Sequence, residues 1–182
     1  MKIKAKTFEL NGHTLIIRSA EEEDAAMLLP YLQRVCGETR FLLVEADECK
    51  PLTIEEEKAF ISSHTDGDRA CLLLAFLDGE YIGNASFDTP GSSRRNRHRA
   101  DIGIALYLDY TGMGIGTILL SSLLDAIKEC GFETAELTVV SKNSRAIHLY
   151  EKFGFTECGC IPNANKYDDG TYSDDIIMIK QI

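Results

Sequence analysis

Three glycines at alternate positions, Gly112, Gly114 and Gly116, lie in Asp109-Tyr110-Thr111-Gly112-Met113-Gly114-Ile115-Gly116-Thr117. A glycine leaves its amide uncovered, so such a run lets the main chain pass close to a ligand. The apolar spacing that begins at Ile115 puts this turn at a helix start, where unpaired N–H groups and the positive end of the helix dipole add up. The chemistry is that of an anion nest suited to a pyrophosphate. The chain carries 29 acidic and 19 basic residues, a net charge of −10. A phosphate here must therefore be held mainly by backbone dipoles. Two familiar phosphate motifs fit less well. A P-loop needs a Lys followed by Ser or Thr, and none follows these glycines. A dinucleotide turn needs G-x-G-x-x-G early in a parallel unit. Here Thr117 stands at the third glycine position, and the turn comes late, after an antiparallel stretch. A glycine turn that binds nothing is the plainest alternative.

A second constellation lies downstream: Val140-Ser141-Lys142-Asn143-Ser144-Arg145-Ala146-Ile147-His148-Leu149-Tyr150-Glu151-Lys152-Phe153-Gly154-Phe155. It contains N-x-x-A-x-x-L-Y-x-x-x-G-F without a gap, as Asn143, Ala146, Leu149, Tyr150, Gly154 and Phe155. In this the chain resembles the GNAT superfamily of N-acetyltransferases. The glycine turn is similar to that family's acetyl-CoA motif, [QR]-x-x-G-x-[GA], at Gly114 and Gly116, with Thr111 in place of Gln or Arg. The closing segment Asp169 to Met178 also looks like the last strands of bacterial members. The resemblance runs from about His13 to the end.

It implies an acyl-CoA N-acyltransferase fold whose strand before the glycine turn splays from the next parallel strand. The pantetheine arm of acetyl-CoA would insert there, against backbone around Ile104, Leu106 and Tyr107. Gly112, Met113, Gly114, Ile115, Gly116 and Thr117 would hold the pyrophosphate. Positions 143, 146, 147 and 150 fall near one face of the second helix. Asn143 and Ala146 would thus meet the cofactor arm, and Tyr150 the thioester sulfur. The chemistry suits the residue types. An amine attacks the thioester and coenzyme A leaves as a thiolate. A thiol titrates near ~8.5 and a phenol near ~10, so Tyr150 can lend a proton or hydrogen bond at neutral pH without ionising. The implied reaction is direct acetyl transfer to a primary amine. A non-catalytic acyl-CoA-binding module on the same fold is the alternative.

The attacking amine must lose a proton. Asp101 is the candidate base, on the strand face of the small residues Gly103 and Ala105; His98 is a weaker one. The competing reading for Asp101 is a solvent-facing carboxylate paired with Arg99 or His98. Arg94, Arg95, Arg97 and Arg99 crowd one strand start, as a phosphate or acidic-substrate clamp or simply a solvated hairpin end. Glu55-Glu56-Glu57 reads as a solvated helix face, with only a weak pull on a cationic amine.

These residues need elements to position them. His13 to Arg18 alternates as a strand. Ser19-x-x-Glu22 reads as a capping box opening a helix through Ala25, Leu28, Leu29 and Leu32, broken near Pro30. A second helix starts at Thr53 and runs to about Ser63. Cys71 to Leu77, the turn Asp78-Gly79 and Tyr81 to Phe87 form a hairpin. Arg97 to Leu108 reads as one long strand, Ile115 to Cys130 as the clearest helix, Thr134 to Val140 as a strand and Ser144 to Phe153 as a short helix. Strands near Phe155 to Ile161 and Asp175 to Gln181 close the chain. The sum is one α/β domain over residues 1–182, with a mixed, mostly antiparallel sheet flanked by helices.

The 182 residues, 45% hydrophobic and 26% charged, describe a globular chain large enough to fold without staples. The acidic balance excludes a general nucleic-acid binder. The longest apolar run, Cys71 to Leu77, is far too short to cross a membrane. No export signal is evident, so a cytoplasmic location is expected. The six cysteines form no C-x-x-C pair and the four histidines are scattered. No metal is expected, and the cysteines read as small, reduced, mostly buried hydrophobes. The acceptor would be a small-molecule or peptide amine. A homodimer is a habit of the family rather than a feature of these residues.

Overall fold

The computed structural model describes residues 1–182. The strands are β1 (Lys6–Leu10), β2 (His13–Ser19), β3 (Cys71–Leu77), β4 (Glu80–Asp88), β5 (Arg99–Leu106), β6 (Thr134–Val140), β7 (Thr156–Lys166) and β8 (Tyr172–Gln181). The α-helices are α1 (Ala25–Leu28), α2 (Tyr31–Glu38), α3 (Ile54–Thr65), α4 (Ile115–Glu129) and α5 (Ser144–Lys152). All eight strands form one sheet in the order β1-β2-β3-β4-β5-β6-β8-β7. Every neighbouring pair is antiparallel except β5–β6. That is the mixed, mostly antiparallel α/β sheet expected from the chain's pattern.

The two faces of the sheet carry separate cores. On one face Leu73, Ala85, Ile102 and Ala135 pack against α4, whose Leu119, Leu120 and Leu123 are fully buried. Each such leucine contributes about 1.5–3 kcal/mol. On the other face Leu72, Leu74, Tyr81 and Tyr107 pack against α1, α2 and α3 through Leu28, Tyr31, Val35 and Ile61. β3 lies centrally and is buried on both faces, hence its unbroken apolar run. Asp78 and Gly79 both take positive φ, 51° and 87°, in the tight turn that follows it.

Some expectations change. β1 falls outside the expected strands, although Asn11-Gly12 after the alternating Lys6–Leu10 is itself a hairpin signal: both residues have positive φ, 53° and 86°. Ser19 does not cap a helix. It ends β2, and its Oγ accepts the Ile3 amide at 2.8 Å. The capping box there joins Glu21 and Asp24, because Asp24 is drawn into a two-bond pair with Arg18. Pro30 does separate two helices, α1 and α2. The strand expected over Arg97–Leu108 is shorter, and Leu108 is 53% exposed in a 3-10 turn. Of the cysteines, Cys36 and Cys71 are buried, while Cys158 and Cys160 are exposed on the edge strand β7. Glu57 is buried rather than solvated. No helix is long and apolar enough to cross a membrane.

Candidate functional site

The parallel pair β5–β6 holds for only three residues, Arg99↔Thr134 to Asp101↔Glu136. Beyond Asp101 the strands part. Ile102 to Leu106 remain bonded to β4 on one side, and Leu137 to Val140 to β8 on the other. The facing edges thus present unpaired backbone groups, which a protein pairs, wets or gives to a ligand. Gly83 helps set the departure. Its φ is +151°, and a Cβ there would meet the Ala105 carbonyl oxygen at 2.4 Å and the Leu106 Cα at 2.7 Å. Only glycine lets β4 press this closely on the end of β5.

After β5 the glycine turn leads into α4. Gly112 and Gly114 take left-handed φ of 81° and 88°. The amides of residues 112 to 116 bond to nothing in the protein; the first to find a partner is Thr117, which donates to Gly114. Five consecutive free amides at the start of a 15-residue helix form a strongly anion-seeking surface. Met113 and Ile115 turn their side chains into the core, which leaves their amides bare.

A cleft of about 800 Å³ joins this turn to the strand splay. It is lined by nine of the expected site residues: Ile104 and Leu106 on β5, Gly112, Gly114, Gly116 and Thr117 at the turn, and Asn143, Ala146 and Tyr150 on α5. Asn143 caps α5, its Oδ1 accepting the Ala146 amide at 3.2 Å. Tyr150 is 7% exposed and leans on Phe155, with ring centroids 5.7 Å apart. Its hydroxyl has no partner within the protein, and burial pushes its pKa up to about 12.

Other expected residues sit elsewhere. Tyr107 lies in the opposite core, its ring 5.4 Å from Tyr31 and beneath the Arg34 guanidinium at 3.7 Å. Only its backbone stands near the strand end. Asp101 lies outside the cleft lining. It is an exposed residue, as the solvent-facing alternative expects; desolvation by its surroundings, followed by the charges of Glu136 and Asp88, raises its pKa. Arg99 is unavailable to it, because Arg99 binds Glu136 through two bonds of 2.7 Å. Arg94 and Arg95 form an exposed 3-10 turn away from the cleft. The cations at the cleft are instead Lys142, Arg145 and Lys152. Arg145 reaches from α5 to donate to the Thr111 hydroxyl, at the edge of the free amides. Where the turn carries Thr111 in place of Gln or Arg, the nearby cation is supplied by α5. No cluster of His, Cys, Asp or Glu has a metal-holding arrangement.

A parallel strand pair that opens after three residues, with a row of unbonded amides at the end of the cleft, defines a class of mixed-sheet protein with a site for an extended, anionic ligand. The family model described as acetyltransferase (GNAT) family matches residues 38–155, and the chain belongs to that family. The L-amino acid N-acyltransferase MnaT of Escherichia coli K12 is 30% identical over 91 residues, so the match spans about half of each chain, 50% of this one and 53% of the relative. The crystal structure of a GNAT-family acetyltransferase from Streptococcus pneumoniae superposes with a TM-score of 0.87 at 34% identity, covering 92% of this chain and 99% of that one. A phosphinothricin acetyltransferase from Sinorhizobium meliloti, solved in complex with acetyl-CoA, shares the fold at a TM-score of 0.79 and 20% identity, over 91% of this chain and 87% of its own.

Proposed function

We propose that this protein transfers an acetyl group from acetyl-CoA to a primary amine, without a covalent enzyme intermediate. The observation that carries this reading is the row of five unbonded amides at residues 112 to 116 beside the open edge of β5. They match a diphosphate in charge and in donor number, and the unpaired edge from Ile102 to Leu106 matches an amide-bearing arm. Arg145, Lys142 and Lys152 add positive charge at the mouth. In a chain of net charge −10 they concentrate an anionic ligand locally.

The bound donor supplies an acetyl thioester. The chain's own groups align and polarise it. Backbone along Ile104 and Leu106 sets the depth of the arm, and Asn143 holds the start of α5 against it. Tyr150 lines the cleft, and its phenol stays protonated at neutral pH. Its pKa of about 12 lies well above the ~8.5 of a thiol, so it donates a hydrogen bond to the departing sulfur more readily than it surrenders its proton. A donor aimed at developing negative charge is worth most in a site shielded from water, and Tyr150 is nearly buried.

Two measurements test the reading. Acetyl-CoA should raise the melting temperature, and coenzyme A thiol should be released only when an amine is present. Tyr150→Phe keeps the ring against Phe155 and should lower kcat about 10- to 100-fold with unchanged acetyl-CoA affinity. Absence of stabilisation by acetyl-CoA sinks the proposal. Stabilisation with no turnover on any amine leaves the acyl-CoA-binding module instead.

A further inference from the structure

The sheet's other face holds a second cavity, of about 680 Å³, under the α1–α2 junction, the segment 49–52 and α3. Its walls are largely apolar, with Leu28, Leu32, Leu52, Phe60 and Leu72 among them. Leu32, Leu52 and Phe60 are each more than 40% exposed, so apolar surface is left bare around the opening. Within this lining stand two opposite charges. Glu57 is only 7% exposed, yet its carboxylate makes no hydrogen bond or ion pair. Lys50 lines the same cavity and is likewise unpaired. The Glu57 carboxylate thus stands in the cavity wall with its hydrogen-bonding capacity open to whatever occupies the space.

The cavity adjoins the splay. Asn84 and Ser86 line it from β4, and they pair directly with Ala105 and Gly103 of β5, which line the donor cleft. The four positions share one face of the sheet, and Gly103, with no side chain, and Ala105, with a methyl, offer little to separate the two spaces. Tyr31 marks the boundary. It lines the second cavity, and its hydroxyl donates to the Ala105 carbonyl at 2.8 Å.

Resting on the acetyl-transfer reading, we propose that this cavity is the acceptor pocket and that it takes a free amino acid with an apolar side chain, its ammonium at Glu57 and its carboxylate at Lys50. The side chain fills the space among Leu28, Leu52 and Phe60. One ammonium proton passes to the Glu57 carboxylate, which frees the nitrogen lone pair. The N–C bond then forms at the acetyl carbon, the C–S bond breaks, and a second nitrogen proton follows to the sulfur. Burial raises the pKa of Glu57, which makes it a better proton acceptor than an exposed carboxylate. This assigns to Glu57 the base role that Asp101, outside the cleft, is poorly placed to fill.

The test uses the full-length protein, acetyl-CoA and three amines: L-leucine, L-leucinamide and the ethyl ester of glycine. Leucine should be acetylated with kcat/KM about tenfold or more above leucinamide, which lacks the carboxylate. Lys50→Met should lower kcat/KM for leucine about tenfold and so shrink the preference for leucine over leucinamide, while acetyl-CoA still raises the melting temperature by the wild-type amount. Glu57→Gln should lower kcat/KM for leucine about 100-fold, while acetyl-CoA still raises the melting temperature by the wild-type amount. Glu55→Gln, exposed one turn-step away, should match wild type. Leucinamide or the glycine ester used as well as leucine overturns the proposal, as does a Glu57→Gln enzyme of wild-type rate. Loss of acetyl-CoA stabilisation in the wild-type protein would instead sink the donor reading itself.

Discussion

The two cavities of this sheet are built from different material. The donor cleft is mostly main chain: free amides at residues 112 to 116 and the unpaired edge of β5. The second cavity is side chain, drawn from α1, α2, α3, β3, β4 and the loop around Lys50. A main-chain site constrains sequence by exclusion, since side chains must stay out of the way. A side-chain site constrains it by content, and the content arrives from distant segments.

The sharpest way to break this contrast is to put a side chain where the main chain must be bare. A Cβ at Gly116 would already sit 3.4 Å from Leu149 Cδ2, and a valine would crowd Leu149 and cover the nest. Gly116→Val should weaken acetyl-CoA binding about 100-fold or more, the cost of losing two hydrogen bonds to a charged group. Titration calorimetry reads this directly. If affinity survives, the amides do not hold the diphosphate and the donor site is a side-chain site after all. Arg145→Ala asks the milder form of the same question. Arg145 touches the turn only through Thr111 and stands at the rim. Its removal should raise the KM for acetyl-CoA about three- to tenfold, more at low salt than at high, with kcat little changed.

The same contrast explains what could be read from the chain. Alternating glycines before an apolar periodic stretch, and Asn143 to Phe155 without a gap, are local patterns. They located the turn, α4, α5 and nine of the cleft residues. Asp101 is singled out by its strand face beside the small Gly103 and Ala105 and by the family resemblance, and neither says anything about the charges of Glu136 and Asp88 near it. Glu57 was read as one of three consecutive glutamates. Helical spacing held the better signal: Glu57, Ile61, His64 and Thr65 make the buried stripe of α3, and Glu55 and Glu56 lie off it. Lys50 carries no signal, because no periodic pattern in its own segment marks which side chains face a cavity. The Arg94–Arg99 cluster was conspicuous by density, but Arg99 is committed to Glu136 and the rest stay on an exposed turn.

A smaller effect separates the two sites by pH. α3, which supplies Glu57, is tied to β4 at its far end by His64. That imidazole is 6% exposed, and its Nε2 lies 2.9 Å from Asp88 Oδ2. The Asp88 hydrogen bond, aided by the Phe60 carbonyl, raises the His64 pKa above 6.5 against the opposing pull of burial. The N-terminal ammonium bonds the His64 carbonyl at 2.9 Å and pushes the other way. A raised pKa means the folded protein holds the proton more tightly than the unfolded chain. The contribution is complete below pH 6.5 and fades as pH climbs through the folded value. The melting temperature should therefore fall as pH rises from 6 to 8.5. His64→Gln should flatten that fall. The increment added by acetyl-CoA should differ little between the two variants, because the amides of residues 112 to 116 do not titrate. An increment that collapses in His64→Gln would show that the α3 side and the donor cleft are coupled rather than independently built.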